Sequence, residues 1–166
     1  MKLKDKGRGM IAVVNAHPTT RLRRAPIATA VEQTLRGEKI RRWDITVVLV
    51  SDAELLRMNR EFLQHDYFTD VITFPMESEP LEGEIYISVD RAREQAAQYG
   101  VGVYDEVCRL AIHGALHLAG HDDATPQERA AMSVLEDRYL ATLHQAQGNR
   151  KKRASPKKTL THTKGH

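Results

Sequence analysis

At 166 residues, with 41% apolar and 28% charged residues, the chain has the length and composition of one ordinary globular domain. No apolar run approaches the ~20 residues of a membrane span, and the basic start MKLKDKGRGM leads only into the short stretch IAVVN, too little for a secretory signal. The single cysteine, Cys108, excludes an internal disulfide and a multi-cysteine metal site. The expected compartment is the cytoplasm.

The formal net charge of +3 is unevenly spread. Residues 148–166 hold Arg150, Lys151, Lys152, Arg153, Lys157, Lys158 and Lys164 and no acid. Seven of the 25 basic residues therefore lie there, leaving 18 against all 22 acids in the remainder. The expected division is a folded domain over 1–147 and a basic, disordered tail over 148–166. Such a tail is either a solubilising appendage or an arm for a polyanion, and charge alone does not separate the two.

In chain order, IAVVN over 11–15 predicts a short strand. Ile27, Ala30, Val31, Thr34 and Leu35 recur at helical spacing over 24–39, with Gly37 near the stop. The run WDITVVLV, 43–50, is rich in β-branched residues and predicts a central strand. Ser51 and Glu54 form a capping-box pattern for a helix continued by Leu55, Leu56, Met58, Asn59 and Phe62. DVITFP, 70–75, predicts a strand ended by Pro75, followed by a polar link that contains Pro80. EGEIYISV, 82–89, alternates as a fourth strand. Asp90 is the expected cap of a helix over 91–99, stopped by Gly100. Residues 104–119 carry Val107, Leu110, Ala111, Ala115, Leu116 and Leu118, the pattern of a mostly buried helix ending at Gly120. Thr125, Pro126 and Glu128 start a last helix that reaches about residue 145. The expected fold is α+β: a small four-stranded mixed sheet packed with about five helices, in a single domain.

The segment HGALHLAGHDD, 113–123, carries the chemistry. His113 and His117 are four residues apart, which places both imidazoles on one helix face, one turn apart. Gly120 lets the chain leave the helix through a left-handed residue. Asp123 follows three residues later and can return as a third donor. Two histidines and one carboxylate can hold a zinc ion and leave its fourth position free, as catalytic zinc requires. His121 competes for the third place, but Gly120 should swing it away, so Asp123 is preferred. Asp122 is a candidate to orient a ligand histidine. Cys108 reads as buried packing, while His144, His162 and His166 read as surface or tail residues. Arg109, one turn before His113, faces either the cleft or solvent.

The segment is similar to the metzincin protease signature, whose general-base glutamate is replaced here by Gly114. It more closely resembles the HGxLHLxGxDH signature of the YbeY endoribonuclease family, the bacterial rRNA maturation factors, and departs only at the last position. NREFLQHDYFTDVITFP, 59–75, and GEIYISVD, 83–90, are similar to family blocks in the same order. The resemblance covers roughly residues 10–145.

The resemblance implies a single-strand-specific, zinc-dependent endoribonuclease with one Zn2+ ion, acting in rRNA maturation and ribosome biogenesis. Its implied partners are an rRNA precursor and the ribosome or small subunit, with no membrane. Two departures matter. The usual third histidine is Asp123, an acceptable zinc ligand that lowers the charge of the site by one. The family arginine that acts on the phosphate is Leu63. His65, two residues on, is the catalytic candidate in its place, as general acid or phosphate contact. Arg57, Arg60, Arg91 and Arg93 are candidates for an RNA groove. No general base is identifiable. The alternatives are a non-catalytic ribosome-assembly factor with a structural metal, favoured by loss of the arginine, and a zinc-dependent peptidase or amidase.

Overall fold

The computed structural model describes residues 7–65 and 69–154. The chain runs β1 (Arg8–Asn15), α1 (Arg24–Gly37), β2 (Arg42–Val50), α2 (Asp52–Phe62), β3 (Val71–Ser78), β4 (Leu81–Ser88), α3 (Val89–Tyr99), α4 (Val103–Leu118) and α5 (Pro126–Ala154). Among the described residues, five helices and a four-stranded mixed sheet make the expected α+β domain.

Alternation along the apolar runs builds the sheet. Trp43, Ile45, Val47 and Leu49 of β2 are buried on one face, and Leu81, Gly83, Ile85 and Ile87 of β4 continue that face. These two strands are central and parallel, with Val47 opposite Ile85. β1 lies parallel outside β2, and β3 lies antiparallel outside β4, giving the order β1-β2-β4-β3.

Three boundaries differ from expectation, each for a local reason. Pro75 does not end β3, which runs on to Ser78 with a register shift between Pro75 and Glu77. β3 is an edge strand, where a missing N–H need not break a ladder and a bulge absorbs the irregularity. The expected link over 76–81 is therefore mostly strand, with Glu79 and Pro80 as the turn. Second, the cap of α3 is Ser88, whose Oγ accepts from the Arg91 N–H at 3.1 Å. Asp90 is used otherwise: its Oδ1 lies 2.9 Å from His17 Nε2 and its Oδ2 accepts from the Asp52 N–H at 2.8 Å. Third, α5 continues to Ala154, past the expected end and across the boundary at 148. The stretch 149–154 is rich in Arg, Lys and Ala, which are good helix formers. Residues 155–166 of the expected tail lie outside the described residues.

Two helix starts follow their signals. The Ser51 Oγ accepts from the Glu54 N–H at 3.1 Å, although the Glu54 carboxylate turns to Arg57. At α5 the capping box is reciprocal, with Thr125 N–H to Glu128 Oε1 at 3.0 Å and Glu128 N–H to Thr125 Oγ1 at 3.1 Å.

α4 is the centre of the packing. It buries Val107, Leu110, Ala111, Ile112, Ala115 and Leu116, against the sheet on one side and against α1, α3 and α5 around the rest. The opposite face of the sheet carries a smaller core, in which Leu55 and Met58 of α2 cover Val50 and Ile72. No described helix is long and apolar enough to cross a membrane.

Gly114 sets how closely α4 approaches β4. A Cβ at that position would stand 2.6 Å from Ile85 Cγ2, a stiff β-branched side chain with no exposure. Alanine gains about 1 kcal/mol of helix propensity over glycine. Overpacking a dense core costs about 1–3 kcal/mol, and at this separation the clash should win. Gly114→Ala is predicted to lower the denaturant midpoint of unfolding; a raised midpoint would show that α4 shifts freely on the sheet.

Candidate metal centre

α4 leaves the core through a left-handed glycine. Gly120, at φ +109°, donates its N–H to the His117 carbonyl at 3.0 Å, and the His121 N–H reaches back to the Leu116 carbonyl at 3.0 Å. This pair of bonds is a Schellman termination. The chain then reverses toward the Thr125 cap of α5. Arg129 holds the intervening loop, donating to the carbonyls of Asp123 at 3.4 Å and Ala124 at 3.1 Å.

The reversal brings three donors together. His113 Nε2 and His117 Nε2 are 3.1 Å apart. Asp123 places Oδ2 at 3.3 Å from the first and Oδ1 at 3.3 Å from the second. Tetrahedral zinc with bonds of ~2.0–2.1 Å sets neighbouring ligand atoms ~3.3 Å apart, so the triangle has the size of a zinc face. Among the described residues this is the one group of three His, Cys, Asp or Glu donors within 4.8 Å of one another.

The protonation pattern also fits a cation. His113 Nδ1 lies 2.6 Å from Glu136 Oε2, so Nδ1 carries the proton and Nε2 presents its lone pair to the centre. Two imidazole nitrogens and a carboxylate then face one another, with the two Nε2 atoms at hydrogen-bond distance. Burial opposes the His113 imidazolium, but Glu136 and Asp123 outweigh it and raise the pKa of the ring. Proton and metal therefore compete for Nε2.

Glu136, only 9% exposed, was not singled out from the sequence. It was detectable: Met132, Tyr139 and Leu143, with the partly buried Leu135, form the apolar stripe of α5, and Glu136 is an acid within it. Its Oε1 accepts from Arg109 Nη1 at 3.2 Å, and Arg109 Nη2 reaches Asp137 at 2.8 Å. Arg109 is thus committed to α5. Asp122, the sequence candidate for orienting a histidine, is exposed, and Glu136 fills that position instead. His121 turns away to Glu38, with Nε2 at 2.6 Å from Oε1, and Tyr139 donates to the other Glu38 oxygen at 2.5 Å.

The remaining candidates are more dispersed. Leu63 and His65 are exposed beyond α2, and both donate their backbone N–H to the Asn59 carbonyl. Arg57 pairs with Glu54 and Glu61, Arg91 with Asp52, and Arg93 donates to Thr20 Oγ1. His144 pairs with Asp105. Cys108 is buried, and desolvation pushes its thiol pKa up to about 12, which leaves it inert. A cleft of about 260 Å³ adjoins His113 and Asp123. A larger cavity of about 640 Å³, lined by Arg23, Tyr104 and His144 among others, contains none of the three donors.

The family model described as endoribonuclease YbeY matches residues 14–144. The chain belongs to the endoribonuclease YbeY family. A YbeY endoribonuclease of Chlorobium phaeovibrioides is 41% identical over 133 residues, covering 78% of this chain and 90% of the relative. One from Chlorobaculum parvum is 44% identical over 117 residues, covering 70% and 83%. The solution structure of TM1509 from Thermotoga maritima superposes with a TM-score of 0.63 at 27% identity, covering 89% of this chain and 99% of that one.

The geometry predicts a ranking of zinc affinities. Asp123→Ala should weaken zinc strongly and Glu136→Gln by about 10–100-fold, while His121→Ala should leave it nearly unchanged. Competition against a chelating dye measures all three. A larger loss from His121→Ala than from Asp123→Ala would make His121 the loop ligand.

Proposed function

We propose that this chain cuts single-stranded RNA with one zinc ion held by His113, His117 and Asp123, acting on an rRNA precursor in ribosome biogenesis. Endoribonuclease activity follows from the family. The observation that supports the metal is the convergence of three lone-pair donors around one point, with Glu136 fixing the tautomer of His113. The proposed setting is the cytoplasm, in association with the ribosome or small subunit.

Zinc held there would supply Lewis-acid polarisation of the phosphate and lower the pKa of a bound water. His113 and His117 hold it from a rigid, buried helix, and Asp123 adds one negative charge that a histidine would not. Position 114 cannot supply a general base, because its side-chain direction meets Ile85 in the core. RNA carries its own nucleophile, the 2′-hydroxyl, so ribonucleolytic cleavage needs such a base less than peptide hydrolysis does.

His65 is the proposed phosphate contact or general acid. It stands two residues after Leu63, which is 39% exposed and cannot stabilise charge on a phosphate. The division at 148 also belongs to this proposal, with the seven basic residues of 148–166 serving as a salt-screened arm on the RNA backbone.

Purified protein with one equivalent of zinc is predicted to cut single-stranded RNA slowly, to stop on chelation, and to recover when zinc is restored. His65→Ala should lower the rate by about 100-fold, the scale of a lost acid–base group. Cleavage of peptides but not of RNA by the zinc-loaded protein would overturn the function, and an unchanged rate in His65→Ala would remove that residue from it.

A further inference from the structure

The cleft beside the metal donors contains a group that the metal site does not use. His113 and Asp123 contribute to its lining, together with Glu106, Asp70, Gln95 and Tyr99. At about 260 Å³ it is smaller than the ~300–1,000 Å³ of pockets for drug-sized ligands. That volume suits one planar, base-sized group.

Glu106 is 3% exposed, yet its carboxylate accepts no hydrogen bond from any described residue. Arg109 exerts the attraction it feels, but the guanidinium hydrogen bonds of Arg109 go to Glu136 and Asp137. Asp70 and Glu136 act on Glu106 with like charge. The Glu106 oxygens are not among the buried polar atoms that lack a partner, so what exposure the residue keeps opens onto the cleft, where the carboxylate can accept from a bound donor.

Distance separates two roles for it. Glu106 precedes His113 by seven residues on α4, ~10 Å along the helix axis. That is too far to pass a proton directly to an atom at the metal. It suits a base flanking a phosphate held there. The charge of the lining then selects the ligand. Glu106 and Asp70 repel a phosphate, and Arg129, which also lines the cleft, donates to backbone carbonyls. Asp70 already accepts from Gln95 Nε2 at 3.1 Å, so it is Glu106 that calls for N–H donors, and guanine is the base whose edge offers two adjacent ones, N1–H and N2–H, to a single carboxylate. Tyr99, 66% exposed, provides an aromatic ring for stacking.

We propose that this cleft is a nucleobase pocket that selects guanine beside the scissile phosphate, with Glu106 accepting from N1–H and N2–H. The proposal rests on RNA being the substrate. Cut sites mapped on random-sequence single-stranded RNA with zinc-loaded protein should carry guanine at one flanking position. Glu106→Gln keeps the side-chain size and should lose that preference by about tenfold or more, with its zinc content unchanged. Calorimetric titration should show GMP binding more tightly than AMP by a similar factor in the wild type, and equally in the variant. A flat cut-site profile, or a guanine preference unchanged in Glu106→Gln, overturns the pocket and leaves the endoribonuclease reading intact. If no RNA is cut, that reading fails, and the comparison of GMP with AMP decides the pocket alone, equal affinities overturning it. Should Glu106→Gln not fold, the wild-type profile and the nucleotide comparison still decide.

Discussion

The hydrogen bond between His113 Nδ1 and Glu136 Oε2, at 2.6 Å, joins α4 to α5 where the apolar packing between them gives way to polar groups. It fixes the tautomer of one metal donor. It also gives a nearly buried carboxylate a partner, with Arg109 as a second. α4 and α5 are thereby tied on either side of the loop that carries Asp123. The Schellman end at Gly120 and the capping box at Thr125 restrict that loop from both ends. The position of the third donor is thus a consequence of two helix termini and one bond between helices. No long-range ligand needs to be recruited.

α4 has little freedom to present chemistry elsewhere. Most of its surface is buried, and its sheet face is so close that position 114 must be glycine-sized. The half-buried positions 113 and 117 are where imidazoles escape the core. This explains how a histidine spacing shared with zinc peptidases accompanies a different activity. A glutamate at 114 would project toward Ile85 and not into the cleft. The cleft wall is acidic, with Asp70, Glu106, Asp123 and Glu136, and this would be a poor surface for RNA without a cation. Arg109 offsets part of that charge, and a dication held by the three donors would offset more.

Local features were legible in the sequence because their causes are local. Period-two runs located the strands, and Gly100, Gly120 and Thr125 located helix ends through backbone geometry and capping. The pairing of His113 with His117 needed only the helical period, and the placement of Asp123 beside them followed from the turn at Gly120. What could not be read depends on distant partners. Whether Pro75 ends β3 depends on that strand lying at the sheet edge. Asp90 looked like a cap because the competing claims of His17 and the Asp52 N–H come from other segments. Glu136 lies 23 residues from His113 and meets it only through the packing of α5 on α4. An acid inside an apolar helical stripe was the available signal, and it also marks Glu106 beside Val103, Val107 and Leu110 on α4.

Two imidazoles from α4 and one carboxylate from the following loop are the proposed holders of the metal. X-ray absorption at the zinc edge of the loaded protein reads that donor set directly. Two imidazole ligands and oxygen scatterers, all at about 2.0 Å, are expected in the wild type, and one imidazole fewer in His117→Ala. A third imidazole ligand in the wild type, or an unchanged spectrum in His117→Ala, would contradict that donor set.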